Sequence, residues 1–161
     1  MSSLSEKKNK ILNFKGAVTA TCTPYDKNGA INPSMISSYA SHLLKIGVTG
    51  VYVHGSTGEG LSLTKDEKLV LTKKWLEVLG GGNTLTIMNV SATCYLESIE
   101  LAKNFEQIGV DAIAILPPIY YRPKNAADLV KYLKLIADAA PNTPLVYYHI
   151  PILTYVNCNK N

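Results

Sequence analysis

Arginine is nearly absent from this sequence. Arg122 stands alone among sixteen basic residues, and the other fifteen are lysines scattered along all 161 positions. Proteins that read nucleic acid concentrate arginine and basic patches, so no nucleic-acid partner is expected. Cysteine is scarce. Cys22, Cys94 and Cys158 are odd in number, widely spaced and form no C-x-x-C pair. That pattern disfavours a disulfide framework and suggests free thiols in a reducing, cytoplasmic compartment. Long apolar runs are missing too, so no membrane span is expected. The polar start "MSSLSEKKNK" has no apolar core of the kind a secretory signal needs, and residues 1–13 are expected to form a flexible tail.

What is present is alternation. Short apolar runs are read as strands over 16–24, 50–55, 84–90, 111–118 and 144–151. Between them, patterns of three- and four-residue spacing predict helices over 32–47, 64–80, 93–109 and 125–140. Asn32, Pro33 and Gly47 suit the ends of the first helix. Met35, Tyr39, His42, Leu43 and Ile46 suit its periodic face. Thr64 and Glu67 make a capping box for the second, where Leu71, Trp75 and Val78 share a side. Strands alternating with helices imply a parallel sheet, in a doubly wound fold or a barrel.

In both architectures chemistry sits at the C-terminal ends of strands. The second strand ends in "GSTGEG". It lacks the lysine of a phosphate loop and the G-x-G-x-x-G spacing of a dinucleotide loop. Two readings stand side by side: an ordinary turn, or a concavity of hydroxyls and backbone N–H groups for a small carboxylate. Tyr120, Tyr121, Tyr147 and Tyr148 form pairs at two other strand ends. Packing explains them, and so does a hydroxyl relay for protons. Alternation allows only one of Tyr147 and Tyr148 to face the strand-end site. His42 and His54 show no metal-ligand spacing and are read as structural, with Glu59 capping or orienting the loop. No metal site is legible.

Together, "GAVTATCTPYDKNGAIN", "GVYVHGSTGEGLSLTKDEK", "LPPIYYRP" and "YYHIP" resemble the N-acetylneuraminate lyase and dihydrodipicolinate synthase family, from about Lys15 to Thr154. "GEGLSLT" and "YYHIP" followed by "LT" look like its lyase branch. The synthases follow the proline with Gly-Arg, where this chain has Ile152 and Leu153. The resemblance implies a (β/α)8 TIM barrel, usually a homotetramer, with no separate cofactor. It implies a class I aldolase acting on small 2-keto acids, cleaving N-acetylneuraminate to N-acetylmannosamine and pyruvate through a lysine Schiff base. Carried over by motif, Ser56 and Thr57 bind the ketoacid carboxylate. Tyr148 is the acid/base, and Tyr120 completes a hydroxyl relay from a neighbouring subunit.

The family's Schiff-base lysine lies on a sixth strand, which at roughly 30 residues per unit would start near residue ~175. Lys160 is the only lysine after the fifth strand, twelve residues past Tyr148 and too early for a helix and a return strand. Tyr155 stands where the family has a glycine. The expectation is a C-terminally truncated barrel with only its first five strands and four helices. Residues 14–151 would be the partial barrel and 152–161 a divergent tail. An inactive fragment, and another pyruvate-dependent aldolase or synthase, are the alternative functional readings.

Overall fold

A computed structural model describes residues 3–157. Its core is one five-stranded parallel sheet: β1 (Ala17–Ala20), β2 (Val48–Val53), β3 (Leu85–Asn89), β4 (Ala112–Ile115) and β5 (Leu145–Tyr147). The spatial order is β1-β2-β3-β4-β5. Four helices connect these strands: α2 (Ile36–Lys45), α3 (Lys65–Leu79), α4 (Tyr95–Ile108) and α5 (Ala126–Ala139).

Alternation along the strands sorts two faces. Val51, Val53, Met88, Val90, Ile113 and Ile115 pack with Leu43, Leu71, Trp75, Leu101, Phe105 and Ile136 from all four helices. Leu85, Ile87, Ala112 and Ala114, with Tyr52 and Val146, form a second cluster on the other face. A doubly wound sheet reverses its order and takes helices on both faces. A sequential order with every connecting helix on one face is the arc of a barrel. This decides between the two architectures that alternation leaves open. β1 and β5 are the edges of the arc.

The helix ends show which local signals governed. Thr64 and Glu67 make the expected capping box on α3, with Glu67 N to Thr64 Oγ1 at 3.2 Å and Thr64 N to Glu67 Oε2 at 2.9 Å. Gly47 and Gly109 end α2 and α4 at positive φ, where a Cβ would be strained. Asn32 does not cap α2. It accepts a bond from the Ser34 hydroxyl instead, and a 3-10 turn over Pro33–Met35 precedes the α-helix. Ile36, Ala40 and Leu43 are buried and Tyr39 packs on the core, while Met35 and Ile46 lie exposed.

The segment expected as a loose tail over 1–13 contains a helix, α1 (Leu4–Leu12), with its own Ser3/Glu6 capping box. Ile11 and, just past the helix, Phe14 pack against the second cluster. Lys10 Nζ reaches Thr84 O at 3.1 Å and Asp111 Oδ2 at 2.8 Å, and buried Lys7 donates to Thr143 Oγ1 at 3.1 Å. Thr84, Asp111 and Thr143 lie just before β3, β4 and β5, so α1 closes the N-terminal end of the arc. Its sequence is polar because its anchors are lysine ammonium groups rather than an apolar stripe. Asp111 also accepts from Thr86 N at 2.8 Å and Thr86 Oγ1 at 2.9 Å. Removing this carboxylate strands several donors, so Asp111→Ala is expected to cost about 2 kcal/mol. Urea unfolding measures it; an unchanged midpoint would show that the latch holds nothing.

A short helix, α6 (Pro151–Thr154), follows β5. Arg122 Nε donates to Thr154 O at 3.0 Å, and the Arg122 guanidinium lies 5.3 Å from the Tyr155 ring centre. Tyr155 has φ 55°, the left-handed region, which glycine enters without cost. The cation–π contact with Arg122 offsets part of the tyrosine's strain. Cys158 and Lys160 lie outside the described residues.

Candidate functional site

The C-terminal ends of β1, β2 and β5 frame the site. β2 runs through His54 into the loop Gly55–Gly60, and two non-glycine residues here, His54 (φ 62°) and Glu59 (φ 53°), are left-handed. Such strain persists only where the surroundings fix it. His54 is buried, its Nε2 is 2.9 Å from Thr72 Oγ1, and its ring stacks on Phe105. Burial first, and then the nearby Lys68 charge, push the imidazole down to about 3, so it is neutral. His54 is thus a structural post under the loop, and the Thr23 hydroxyl ties the loop down from β1's end through Gly58 O at 2.6 Å.

The glycines serve close packing. A Cβ on Gly60 would lie 1.8 Å from His54 O, one on Gly58 2.8 Å from Thr21 O, and one on Gly55 2.5 Å from Tyr52 Cε1. Gly60→Ala meets backbone that cannot swing aside, so about 2–3 kcal/mol of stability should be lost. Chemical denaturation tests this; a neutral substitution would mean the loop is loose. Glu59 does not cap with its side chain; its strained backbone turns the chain into the 3-10 turn Gly60–Ser62.

Ser56 and Thr57 project outward from this braced loop, exposed to solvent. Neither hydroxyl is engaged by another described residue. Tyr148 continues β5 past its last paired residue, with its N bonded to Ile115 O at 2.9 Å. Its ring lies 5.4 Å from that of Tyr52, centre to centre, on the concave face. Tyr147 points the other way, as alternation requires, and its hydroxyl is 3.2 Å from His149 Nδ1. The loop and Tyr148 are therefore brought together through one ring, that of Tyr52. Tyr120 is not part of this cluster. It is 82% exposed and packs edge-to-face on Tyr121. Both line a largely apolar cavity of about 370 Å³ outside the arc, together with Leu61, Tyr95, Leu116 and Tyr132.

Two residues of the concave face went unread in the sequence. Tyr52 sits in "VYV" and Asn89 in "IMNV", each a polar-headed side chain flanked by apolar residues. Asn89 Nδ2 donates to the Tyr52 hydroxyl at 2.8 Å. Strand alternation was the available signal: each is in phase with apolar residues of the concave face.

Residues 13–160 match the family described as the Dihydrodipicolinate synthetase family. The chain belongs to that family. Among curated relatives, it is 42% identical over 146 residues to N-acetylneuraminate lyase of Sus scrofa and 43% identical to that of Homo sapiens. Each alignment covers 89% of this chain and 45% of the relative. Among solved structures, the sialic acid aldolase of Ruminococcus gnavus, as its catalytic lysine mutant, superposes with TM-score 0.83 at 36% identity, covering 89% of this chain and 46% of that one. Dihydrodipicolinate synthase DapA-2 of Bacillus anthracis gives TM-score 0.81 at 28% identity, over 89% and 48% of the two chains. The chain thus spans about half the length of the relatives it matches, and its five-stranded arc follows the barrel of this family. No helix among the described residues is long and apolar enough to cross a membrane.

Proposed function

We propose that this chain carries the ketoacid end of an N-acetylneuraminate lyase site. One observation supports it most: Ser56 and Thr57 present unengaged hydroxyls on a braced loop, and the Tyr52 ring joins that loop to Tyr148. In this reading Ser56 and Thr57 bind the carboxylate of N-acetylneuraminate or pyruvate. A lysine amine attacks the keto carbon and expels water, and the resulting iminium accepts the electrons of the breaking C–C bond. Tyr148 takes the proton from the sugar hydroxyl as N-acetylmannosamine leaves, and returns a proton to the pyruvyl carbon. Tyr120, exposed and turned outward, completes the hydroxyl relay of a neighbouring subunit in a homotetramer. Free, exposed Cys22 and Cys94 suit a reducing cytoplasm.

A second reading, ketoacid binding without chemistry, draws support from the described lysines. Lys7 and Lys10 are tied down at the opposite end of the arc, and Lys68 is bonded to Ser91 O at 2.8 Å on the helix side. Borohydride trapping with pyruvate, read by intact mass, separates the two. A pyruvyl-lysine adduct on this 161-residue chain supports catalysis by the chain itself. An adduct seen only in a chain that also carries a sixth strand with a lysine supports the binding reading. A synthase is disfavoured because Ile152 and Leu153 on α6 offer no cation for a second carboxylate.

A further inference from the structure

The concave face holds a hydrogen-bond donor that no described residue uses. Tyr52 lies between buried Val51 and Val53, yet its own side chain is only partly buried and belongs to the concave face. Its Cε1 is the atom nearest to a Cβ placed on Gly55. Cε1 adjoins the ring carbon that carries the hydroxyl. The Tyr52 hydroxyl therefore sits beside the first residue of the loop, just before Ser56 and Thr57. Its polarity is fixed by its neighbour on β3. Asn89 is 2% exposed, and its Oδ1 accepts from Ser91 N at 2.7 Å. With the amide oxygen committed to a main-chain N–H, the amide nitrogen faces Tyr52 and donates to its oxygen at 2.8 Å. The phenol hydrogen is left over, and among the described residues no acceptor meets it. Burial pushes this phenol up to about 12, against the pull of the Asn89 bond, and the neighbouring Tyr148 adds to the rise. Tyr52 therefore keeps that hydrogen at neutral pH.

A 2-keto acid has the complementary need. Its carboxylate and its keto oxygen are both acceptors, held on adjacent carbons. The paired hydroxyls of Ser56 and Thr57 suit the carboxylate, and one further neutral donor beside the loop suits the keto oxygen. We infer that Tyr52, oriented by Asn89, contacts the ligand itself and donates to the keto oxygen of a bound 2-keto acid. This rests on the reading of Ser56 and Thr57 as the carboxylate cradle. A donor there selects 2-keto acids over plain carboxylates. It also polarises the carbonyl, because attack of an amine on the keto carbon moves the carbonyl electron pair onto the oxygen that Tyr52 faces. A buried asparagine turned toward a tyrosine within the sheet is accounted for in the same way.

The test is an amide titration of the 15N-labelled chain with pyruvate and, separately, with propionate, which keeps the carboxylate and lacks the keto oxygen. In the unaltered chain pyruvate is expected to bind more tightly than propionate. Tyr52→Phe keeps the ring against Gly55 and Tyr148 and removes only the hydroxyl. It is expected to weaken pyruvate about five- to tenfold, the worth of one hydrogen bond, and to leave propionate unchanged. Asn89→Ala leaves the Tyr52 hydroxyl free to turn and is expected to weaken pyruvate by less, again without effect on propionate. Equal losses for both ligands in Tyr52→Phe would mean that Tyr52 only shapes the loop. An unchanged pyruvate affinity would mean that its hydroxyl touches no ligand. Either result overturns the inference and leaves the carboxylate cradle in place. Should Tyr52→Phe not fold, an unchanged pyruvate affinity in Asn89→Ala overturns it instead. No loop shifts with either ligand in the unaltered chain would sink the cradle reading, and the Tyr52 contact with it.

Discussion

Stability is expected to fall by about 2 kcal/mol between pH 6.5 and pH 5, and by about 3 kcal/mol by pH 4, because of His54. The folded chain holds this imidazole near 3, whereas an unfolded histidine titrates near 6.5. Between these values the unfolded chain takes up a proton and the folded chain does not. Stability from this group is therefore full above pH 6.5 and is lost as pH falls toward 3. Side-chain carboxylates begin to titrate only below about pH 5, so the upper part of the window belongs to the imidazole. Urea midpoints measured from pH 7 to pH 5 give the slope. His54→Asn removes the titrating ring and places a residue tolerant of positive φ at that position, so its curve should be flatter in this range. A wild-type slope that survives in His54→Asn would remove His54 from the account.

Phe105→Ala is expected to cost about 3–5 kcal/mol, the loss typical of a large aromatic deleted from a packed core. Phe105 is fully buried on α4, within the cluster that joins the strands to all four connecting helices. Domains of ordinary stability hold about 5–15 kcal/mol in total, so this variant should melt far lower or not fold cooperatively. Thermal unfolding by circular dichroism measures it. The cavity opens beside His54, whose ring stacks on Phe105 at 6.0 Å between centres. Water reaching the imidazole would relieve its desolvation, so Phe105→Ala should also weaken the acid sensitivity. A loss below about 1 kcal/mol, the scale of a surface change, would contradict this packing.

The two effects share a cause, because the loop that carries Ser56 and Thr57 is braced from below by the core. This explains which features could be read from sequence. The β/α alternation, the Thr64–Glu67 capping box and the helix-ending glycines are encoded within a few residues of one another, and local pattern suffices for them. α1 is held by Lys7 and Lys10 reaching partners far along the chain, and lysines in a polar segment give no periodic apolar signal. Its Ser3/Glu6 capping box was the one local clue. On α2, Leu43 and Tyr39 meet the core as the periodicity suggests, but Ile36 and Ala40 take buried positions while Met35 and Ile46 stay exposed. In "GSTGEG" the motif marks a strand-end loop, but the reason for its glycines is long-range. Their missing Cβ atoms make room for Tyr52, Thr21 and His54. Tyr52 and Asn89 needed the cross-strand register, which aligns Tyr52 with Ile87 and Asn89 with Ala114. Tyr120 was identified by motif alone, and within one chain it stands apart from Tyr148.

The most direct test of the central claim is an amide spectrum of the 15N-labelled chain titrated with pyruvate and, separately, with inorganic phosphate. A ketoacid cradle predicts pyruvate-dependent shifts at the amides of residues 55–59 and around Tyr148, lost in the Ser56→Ala/Thr57→Val double variant and not reproduced by phosphate. Equal shifts with phosphate, or no response of the loop to pyruvate, would contradict it.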